Sequence, residues 1–235
     1  IGDPATHRQG PPLFAWPRVP HPAEDADACL AALRAAIDEA GADAVLGLVL
    51  EVVQERTGRV VPDAFWPRVA RLRADTGVPV VVVETASAYY RSGRGAFALD
   101  GVDFAPDLMI WWTGGQLGFV HTSAAYRVAD PMTLVSTWDG DELSLVQAHH
   151  QLRAARRLDV DAAAAALDEA LEASPHPTRG LGLYRVIDAG ARAASVADAL
   201  AEAGVRVRRF PNGALGLAPA LDTAAADAAR FGAAL

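Results

Sequence analysis

Three short, almost continuous apolar runs constrain the fold of this chain more than any other feature. They are AVLGLVLEVV (44–53), VPVVVVE (78–84) and PDLMIWW (106–112). Runs that are apolar at both alternating sets of positions are typical of strands in a parallel sheet that is covered on both faces. Segments with helical spacing lie between them, so the sequence predicts an α/β fold with a mostly parallel sheet and flanking helices.

The other segments of the first half fit this arrangement. Residues 1–22 are rich in proline and predict an extended arm. Residues 23–40 and 63–76 carry apolar side chains at helical spacing, which predicts two helices. LGFVHTS (117–123) follows a glycine turn and predicts a fourth strand, antiparallel to the third.

The second half predicts a different architecture. The expected elements are helices in 141–173, a linker at 174–180, a strand at 181–187, a helix at 192–203, a strand at 205–210, a further strand after the PNG turn, and a helix at 222–234. The predicted domains are the arm (1–22), part of a large α/β domain (23–150), connecting helices (151–173) and a small C-terminal α+β domain (174–235).

Charge and composition exclude several classes of partner. The net charge is -8 and the isoelectric point is about 5.2, which argues against nucleic acid or an anionic membrane surface. No apolar run is long enough to span a bilayer, and the single cysteine, Cys29, fits a reducing cytoplasm. The chain begins with Ile rather than Met, so either an upstream segment was removed or this is a piece of a longer protein.

Five segments keep the order and approximate spacing of a known family. They are FAWPRV, VLEVVQERTG, ETASAYYRSGRGAFAL, FAPDLMIWWTGGQLG and VSTWDGDELSL. From about Phe14 to its C-terminus the chain resembles the class III aminotransferases, pyridoxal-phosphate (PLP) enzymes of fold type I, with lysine ε-aminotransferase as the nearest branch. The resemblance implies a homodimeric fold with a large domain that holds the cofactor at strand ends and a small C-terminal domain. The family's first half has no counterpart here, which would leave an open sheet edge and an exposed apolar face for another chain to cover.

The position of the catalytic lysine is occupied by a threonine. PLP enzymes of this kind need a lysine amine to hold the cofactor as a Schiff base and to move a proton. The family pattern P-D-(five residues)-K places that lysine at Thr113, and the chain contains no lysine at all. Trp112 stands where the family has a small residue, and its bulk would crowd the cofactor. The resemblance therefore implies no catalytic residue and no covalently bound PLP.

A second family motif has lost its polar contacts to the cofactor ring. The pattern D-E-V-Q-T-G-x-G-R-T-G corresponds to VETASAYYRSG (83–93). Val83 replaces the acid that keeps the pyridine nitrogen protonated, and Ala86 replaces the glutamine beside the ring. Strand alternation directs Glu84 to the opposite face, where we expect a structural acid that pairs with the loop arginine Arg91.

A third motif has lost one of its two members. Glu51 and Gln54 match the family loop V-E-P-x-Q-G-E-x-G, in which the glutamate faces an arginine near the C-terminus. That arginine would fall near Leu215. We therefore expect Glu51 to lack its partner, and the arginine is not available for a substrate carboxylate.

A fourth motif is intact. Ser136, Thr137 and Trp138 match the family's S-T-[WY]-G-G, in which the threonine binds the PLP phosphate of the other subunit. A hydroxyl beside backbone N–H groups at the start of a helix suits a phosphate. The alternative is that Thr137 only caps the helix that follows. The sequence leaves both open.

Other combinations of reactive side chains have little support. His149 and His150 are adjacent on a predicted helix and lack chelating spacing, so no metal site is predicted. Ser87, His121 and Asp139 contain the elements of a hydrolytic triad, but no G-x-S-x-G context accompanies them.

The losses fall on positions that serve a cofactor in the same chain, whereas the intact motif serves the cofactor of a neighbour. The sequence therefore predicts a non-catalytic aminotransferase-like subunit, a pseudoenzyme, within a homo- or hetero-oligomer. Its partner would be a lysine-bearing aminotransferase-like chain whose PLP site it completes or stabilises, or its own missing N-terminal half. One alternative is an enzyme or ligand-binding protein of other chemistry, with an aromatic or nucleotide ligand on Trp111 and Trp112. Another is the C-terminal piece of a split or cleaved aminotransferase-like protein.

Overall fold

The first sheet is built from the apolar runs that dominate the sequence. The computed structural model describes residues 16–112, 117–134 and 141–235. Strands β1 to β3 run parallel and β4 is antiparallel to β3, which confirms the α/β class and the antiparallel fourth strand. The sheet has the order β1-β2-β3-β4, with β1 at Leu48–Glu51, β2 at Val80–Val83, β3 at Leu108–Trp112 and β4 at Gly118–Thr122.

Two helices pack against one face of this sheet. Helix α1 (Ala26–Ala40) begins at Asp25, whose carboxylate accepts hydrogen bonds from two backbone N–H groups of the first turn. Helix α2 (Trp66–Thr76) carries Pro67 in its first turn, where the missing N–H group leaves no hydrogen bond unmade. The buried side chains that join these helices to the sheet include Leu33, Ile37, Trp66, Val69, Leu72, Leu50, Val80 and Val82.

The second sheet is entirely antiparallel. Its order is β5-β6-β8-β7, with β5 at Thr178–Leu181, β6 at Tyr184–Asp188, β7 at Arg208–Arg209 and β8 at Ala214–Leu217. The predicted linker at 174–180 and single strand at 181–187 were wrong, because the chain makes a hairpin at Gly182. Gly182 has φ 57°, and a Cβ atom there would overlap the carbonyl oxygen of Arg91. Of the strand predicted at 205–210, only Arg208–Arg209 (β7) form a strand.

Four helices complete the second half. They are α3 (Glu142–Ala155), α4 (Val160–Glu172), α5 (Ala193–Glu202) and α6 (Ala225–Ala234). Buried side chains of α4, α5 and α6 share one apolar core with Ile187 and Leu215 of the second sheet. Among the helices of the described ranges, none is both long and apolar enough to cross a membrane.

The two halves meet at a seam, the apolar cluster formed by Val53, Ala86, Tyr184, Val186, Phe210 and Ala214. Hydrogen bonds reinforce it. The Tyr184 hydroxyl donates to the carbonyl oxygen of Glu55 at 2.7 Å, and the Asn212 side-chain amide donates to the carbonyl oxygen of Arg56 at 3.0 Å. The face of the second sheet that α4 to α6 leave free is therefore covered by the first half of the chain.

Candidate functional site

The carboxyl ends of the parallel strands bring three of the predicted positions together. Glu51 ends β1 and pairs in register with Val83, which ends β2. Val83 pairs with Ile110 of β3, two residues before Trp112. Open α/β sheets usually bind ligands outside the carboxyl ends of their strands. The fold thus places the family's cofactor positions at one edge of the first sheet.

Several predicted site residues lie outside the described residues. Thr113 follows the last residue of β3, and Ser136, Thr137 and Trp138 precede α3. Their predicted roles stay predictions. The N-cap residue of α3 is Asp141. The Asp141 carboxylate accepts from the Ser144 hydroxyl and from the N–H groups of Leu143 and Ser144, and these hydrogen bonds lower its pKa.

The side chain at the ring-acid position carries no charge. Val83 is half-buried at the end of β2. An aliphatic side chain can neither protonate nor hydrogen-bond a pyridine nitrogen. Val83 therefore cannot do the work of the ring acid. Only the family pattern assigns it to that position.

Glu84 is a structural acid, but its predicted partner was wrong. The carboxylate is fully buried and accepts hydrogen bonds from the backbone N–H groups of Ala98 at 2.7 Å and Leu99 at 3.0 Å, and from the Ser87 hydroxyl at 3.0 Å. Burial raises the pKa of Glu84, and these hydrogen bonds oppose the rise. Glu84 therefore ties the 84–99 loop to the end of β2 instead of pairing with an arginine.

Arg91 contacts the second half of the chain. Its guanidinium donates to the carbonyl oxygen of Pro219 at 2.6 Å, and its own carbonyl oxygen accepts from the N–H group of Leu183 at 2.8 Å. Burial lowers the pKa of Arg91. The preceding residues Tyr89 and Tyr90 have φ angles of 71° and 64°, a left-handed conformation that is strained for tyrosine. The loop thus keeps a sharp turn and uses it to join the two halves.

Ala86 lies in the seam. It is buried in the same apolar cluster as Val53, Tyr184 and Phe210. A glutamine at this position would place a polar amide against those side chains, which is unfavourable without hydrogen-bond partners. The described packing around Ala86 is therefore that of an apolar core.

Glu51 and Leu215, the two positions assigned to the family's gating pair, lie in different sheets. The Glu51 carboxylate accepts from the backbone N–H group of Glu55 at 2.7 Å, and burial raises its pKa. Within the described ranges it forms no ion pair. Leu215 is fully buried in β8, within the core of the second sheet, and cannot contact a ligand at the strand ends.

The two tryptophans of β3 have different environments. Trp111 is buried, stacks on Phe119 with ring centroids 4.4 Å apart, and directs its Nε1–H toward Nε2 of His121 at 3.4 Å. Trp112 points the other way and exposes 48% of its surface. Trp111 thus belongs to the core, whereas Trp112 does not.

Of the weaker candidates, Asp139 lies outside the described residues, and the others can be placed. Ser87 is buried and its hydroxyl is bound to Glu84, so it is not available as a nucleophile. His149 and His150 are both exposed on α3. No cluster of three or more metal-ligating side chains occurs within the ranges 16–112, 117–134 and 141–235. A cleft of about 480 Å³ lies elsewhere, between the start of α1, the 58–60 turn and β5.

The chemistry of these residues does not fit a cofactor held by this chain through a Schiff base. The sequence has no lysine, and valine and alanine occupy the positions assigned to the ring contacts. Of the acids at the described strand ends, Glu51 accepts a backbone N–H group and Glu84 accepts those of Ala98 and Leu99. No step through PLP on this chain can be derived from them.

Comparison with known proteins identifies the family. The model of the class III aminotransferase family (Aminotransferase class-III) matches residues 8–235, so the chain belongs to that family. No curated protein matches the chain by sequence.

Solved transaminases share the fold. A transaminase from the marine bacterium Virgibacillus superposes with a TM-score of 0.81 at 19% identity, over 97% of this chain and 61% of that chain. An (S)-enantioselective omega-transaminase from Thermomicrobium roseum gives 0.75 at 20% identity, over 94% and 60%. An amine transaminase from an uncultivated Pseudomonas species, in the PLP-bound (internal aldimine) form, gives 0.74 at 22% identity, over 88% and 54%. This chain therefore spans less than two thirds of the length of these relatives.

The seam is the feature that the sequence did not reveal. Tyr184, Glu55 and Arg208 hold the two halves together by a hydroxyl–carbonyl hydrogen bond and an ion pair. Their positions match no motif, and in the sequence they look like ordinary surface residues. The signal that could have indicated a packed surface is the pair of aromatic residues Tyr184 and Phe210, because large aromatic side chains are usually buried.

Proposed function

We propose that this chain is a non-catalytic subunit of the class III aminotransferase family. In this role it pairs with a lysine-bearing aminotransferase-like chain and completes or stabilises the PLP site of that chain. The absence of lysine from the sequence carries the proposal, because no other side chain can replace an amine that forms a Schiff base. The single cysteine, which forms no disulfide, supports a cytoplasmic location.

The described residues support a loss of chemistry in this chain. Glu84 and Ser87 bind each other and the backbone, and Ala86 packs in the seam. Each of these side chains is therefore already engaged in contacts within the chain. A single lysine introduced at Thr113 would not restore transamination, because Val83 and Ala86 would still fail to contact the ring.

The intact Ser136–Thr137 pair supports a role toward a partner. In this proposal the Thr137 hydroxyl binds the phosphate of PLP held by the other chain. Capping of α3 does not account for Thr137, since Asp141 fulfils that function. A ligand-binding protein that uses both tryptophans has less support, because Trp111 is already stacked on Phe119.

The experiment is to purify the chain with its native neighbours, to identify the components by native mass spectrometry, and to record the absorption spectrum with added PLP. We expect the band of lysine-bound cofactor only when a lysine-bearing chain is present. Thr137→Ala should weaken cofactor binding by about tenfold, as expected for loss of a hydrogen bond to a charged group. Thr133→Ala is the matched control, because Thr133 is an exposed threonine whose hydroxyl donates to the Asp130 carbonyl oxygen.

Two results would contradict the proposal. One is a lysine-type cofactor band from the isolated chain. The other is strong transamination by the isolated Thr113→Lys variant. A complex in which the second component is an upstream segment of the same polypeptide would instead favour the split-protein alternative.

A further inference from the structure

The turn at Tyr89 and Tyr90 stores backbone strain. Both residues have left-handed φ angles, 71° and 64°. For a residue with a Cβ atom, this region is disfavoured by about five- to thirtyfold relative to ordinary backbone conformations. The Tyr89 hydroxyl adds to the cost, because it is buried and has no hydrogen-bond partner among the described residues. A turn of this kind persists only where its surroundings impose it.

Hydrogen bonds within the loop supply part of the constraint. The N–H groups of Tyr89 and Tyr90 both donate to the carbonyl oxygen of Ala96, at 2.6 and 3.2 Å. Further along, the N–H groups of Ala98 and Leu99 donate to the buried Glu84 carboxylate at the start of the loop. Within the loop, the two N–H groups of the strained turn therefore depend on a single carbonyl oxygen.

The residues that follow the turn are attached to the second half of the chain. Tyr90 packs against the apolar core of α4, α5 and α6. The Arg91 guanidinium donates to the carbonyl oxygen of Pro219 at 2.6 Å, and the Arg91 carbonyl oxygen accepts from the N–H group of Leu183 at 2.8 Å. The hairpin at Gly182 lies so close that a Cβ atom there would overlap the same carbonyl oxygen. The strained turn thus stands directly before the point at which the loop joins the second half.

The side-chain attachment at Arg91 is one that can open. Burial lowers the pKa of Arg91, yet its described partner is the neutral carbonyl oxygen of Pro219. Within the described ranges it forms no ion pair. A buried cation that is paired with a neutral group lacks the attraction that a carboxylate would supply. Release returns the guanidinium to water, which offsets part of the hydrogen bond that is lost.

We infer that the 84–99 loop is a strained latch, which keeps the Tyr89–Tyr90 turn left-handed only while Arg91 is bound to the second half. When Arg91 is released, the turn relaxes to negative φ angles, and the loop changes shape at the carboxyl end of β2. Ala86, on the same loop, then leaves the seam. The latch couples the joining of the two halves to the shape of the strand-end edge. This inference does not rest on the proposed function, since every contact that it uses lies within this chain.

Tyrosine-selective isotope labelling reports the turn directly. The chain has four tyrosines, so protein made with labelled tyrosine gives four backbone amide signals. A left-handed residue brings its own amide and α protons close together, which gives a strong nuclear Overhauser effect between them. We expect this strong effect at Tyr89 and Tyr90 of the wild type. Tyr126 and Tyr184 lie outside the left-handed region and provide weak reference signals in the same spectrum.

A matched pair of variants tests the latch. Arg91→Met removes the guanidinium that binds Pro219 across the seam. Arg94→Met removes a guanidinium of the same loop, but one that is paired with Asp63 at 2.7 Å within the first half. Arg91→Met should lose the strong effect at both turn tyrosines and should speed hydrogen exchange of their amides by at least about tenfold. Arg94→Met should leave both measurements unchanged, and circular dichroism checks that each variant is folded.

A second comparison measures the strain while Arg91 stays in place. Tyr90→Ala and Tyr90→Gly both remove the aromatic side chain, but only glycine adopts a left-handed conformation without steric cost. The unfolding equilibrium constant should therefore be about fivefold smaller for Tyr90→Gly than for Tyr90→Ala. Ala96→Gly is the control outside the left-handed region, where glycine should be the less stable residue. If the Tyr90 variants do not fold, the same pair of substitutions at the partly exposed Tyr89 replaces them.

The inference is overturned if folded Arg91→Met keeps the strong effect at both turn tyrosines, because the loop's own hydrogen bonds would then hold the turn. Equal changes in Arg91→Met and Arg94→Met would overturn it too, since the seam contact would have no special role. Equal stability of Tyr90→Gly and Tyr90→Ala would show that the turn stores no strain. If Arg91→Met does not fold, Arg91→Gln, which also removes the guanidinium, takes its place.

Discussion

The two sheets of this protein differ in how completely the chain covers them. The second sheet is packed on one face by α4, α5 and α6, and on the other by the seam. The first sheet is packed by α1 and α2 on one face only, and leaves Val49 and Val120 largely exposed on the other. An apolar strand sequence therefore shows that a face needs cover, but does not show that the same chain provides it.

The loop that follows β2 joins the first sheet to the second half of the chain. In the family this loop contacts the cofactor, whereas here Ala86 and Arg91 connect the two halves. Contacts within the chain therefore stabilise the end of β2 and the loop that follows it.

The largest expected effect is in the self-contained sheet. Leu215→Ala removes a fully buried side chain from the core shared with α4, α5 and α6. We expect the free energy of unfolding to fall by about 2–5 kcal/mol, from lost burial and the cavity that remains. Hydrogen exchange of β6 and β8 measures this directly. The exposed Leu143→Ala is the control, and an equal loss there would show that the assigned core is wrong.

The next largest expected effect is a difference in the free energy of unfolding between substitutions on the two faces of the first sheet. Val82→Ala opens a cavity on the covered face and should cost about 2 kcal/mol in the isolated chain. Val81→Ala, one residue away on the opposite and less buried face of β2, should cost less than about 1 kcal/mol. Tryptophan fluorescence during urea unfolding reports this half, because all five tryptophans precede residue 139. Equal costs would mean that the face of Val81 is packed as tightly within the chain as the face of Val82.

A smaller effect is expected at the seam. Tyr184→Phe removes the hydrogen bond to the Glu55 carbonyl oxygen and should destabilise the protein by about 1 kcal/mol. The exposed Tyr126→Phe is the control and should have no effect. If Tyr184→Phe also has none, the seam hydrogen bond does not help to join the halves, and chemical denaturation of both variants decides this.

The smallest expected effect concerns pH. Burial raises the pKa of Glu84 above its usual value of 4.5, so the folded state holds this proton more tightly than the unfolded state. Its contribution to stability is therefore full below about pH 4.5 and is lost as the pH rises through the folded pKa. Wild type should gain stability relative to Glu84→Gln on acidification from pH 7.

A control for charge removal is Glu169→Gln, since Glu169 is an exposed glutamate on α4.

The His21 imidazole affects stability in the opposite sense. Burial lowers its pKa to about 4 from 6.5, so its contribution is lost as the pH falls from 6.5. His21 is present in every protein compared, and its effect cancels in the difference. A constant difference between wild type and Glu84→Gln across pH would contradict the assigned burial of Glu84.

Much of the fold could be predicted because local signals agree with it. Gly41 and Gly77 end α1 and α2 where the apolar periodicity stops, and the runs at 78–84 and 106–112 contain β2 and β3. The hairpin between β5 and β6 was missed because LGLYRVI is apolar on both sides of Gly182. A turn imposed by close contact with the Arg91 backbone leaves no periodic signal.

Part of the candidate site could also be predicted from the sequence, and part could not. Family patterns located Val83, Glu51 and Trp112, and the fold brings them to one edge of the sheet. The partner of Glu84 could not be predicted, because backbone N–H groups of Ala98 and Leu99 have no signature in sequence. The opposite orientations of Trp111 and Trp112 follow from strand alternation, but which side is buried depends on Phe119 of the neighbouring strand.

By itself the sequence determined that this chain has no lysine with which to hold PLP, since that depends on composition and on no contact. It also determined the α/β class, because apolar runs and helical spacing are local properties. Only the tertiary structure decided which face of the first sheet is open, and that Arg91 binds the carbonyl oxygen of Pro219, 128 residues away. Contacts of this kind depend on how distant segments pack together, and no local pattern of residues encodes them.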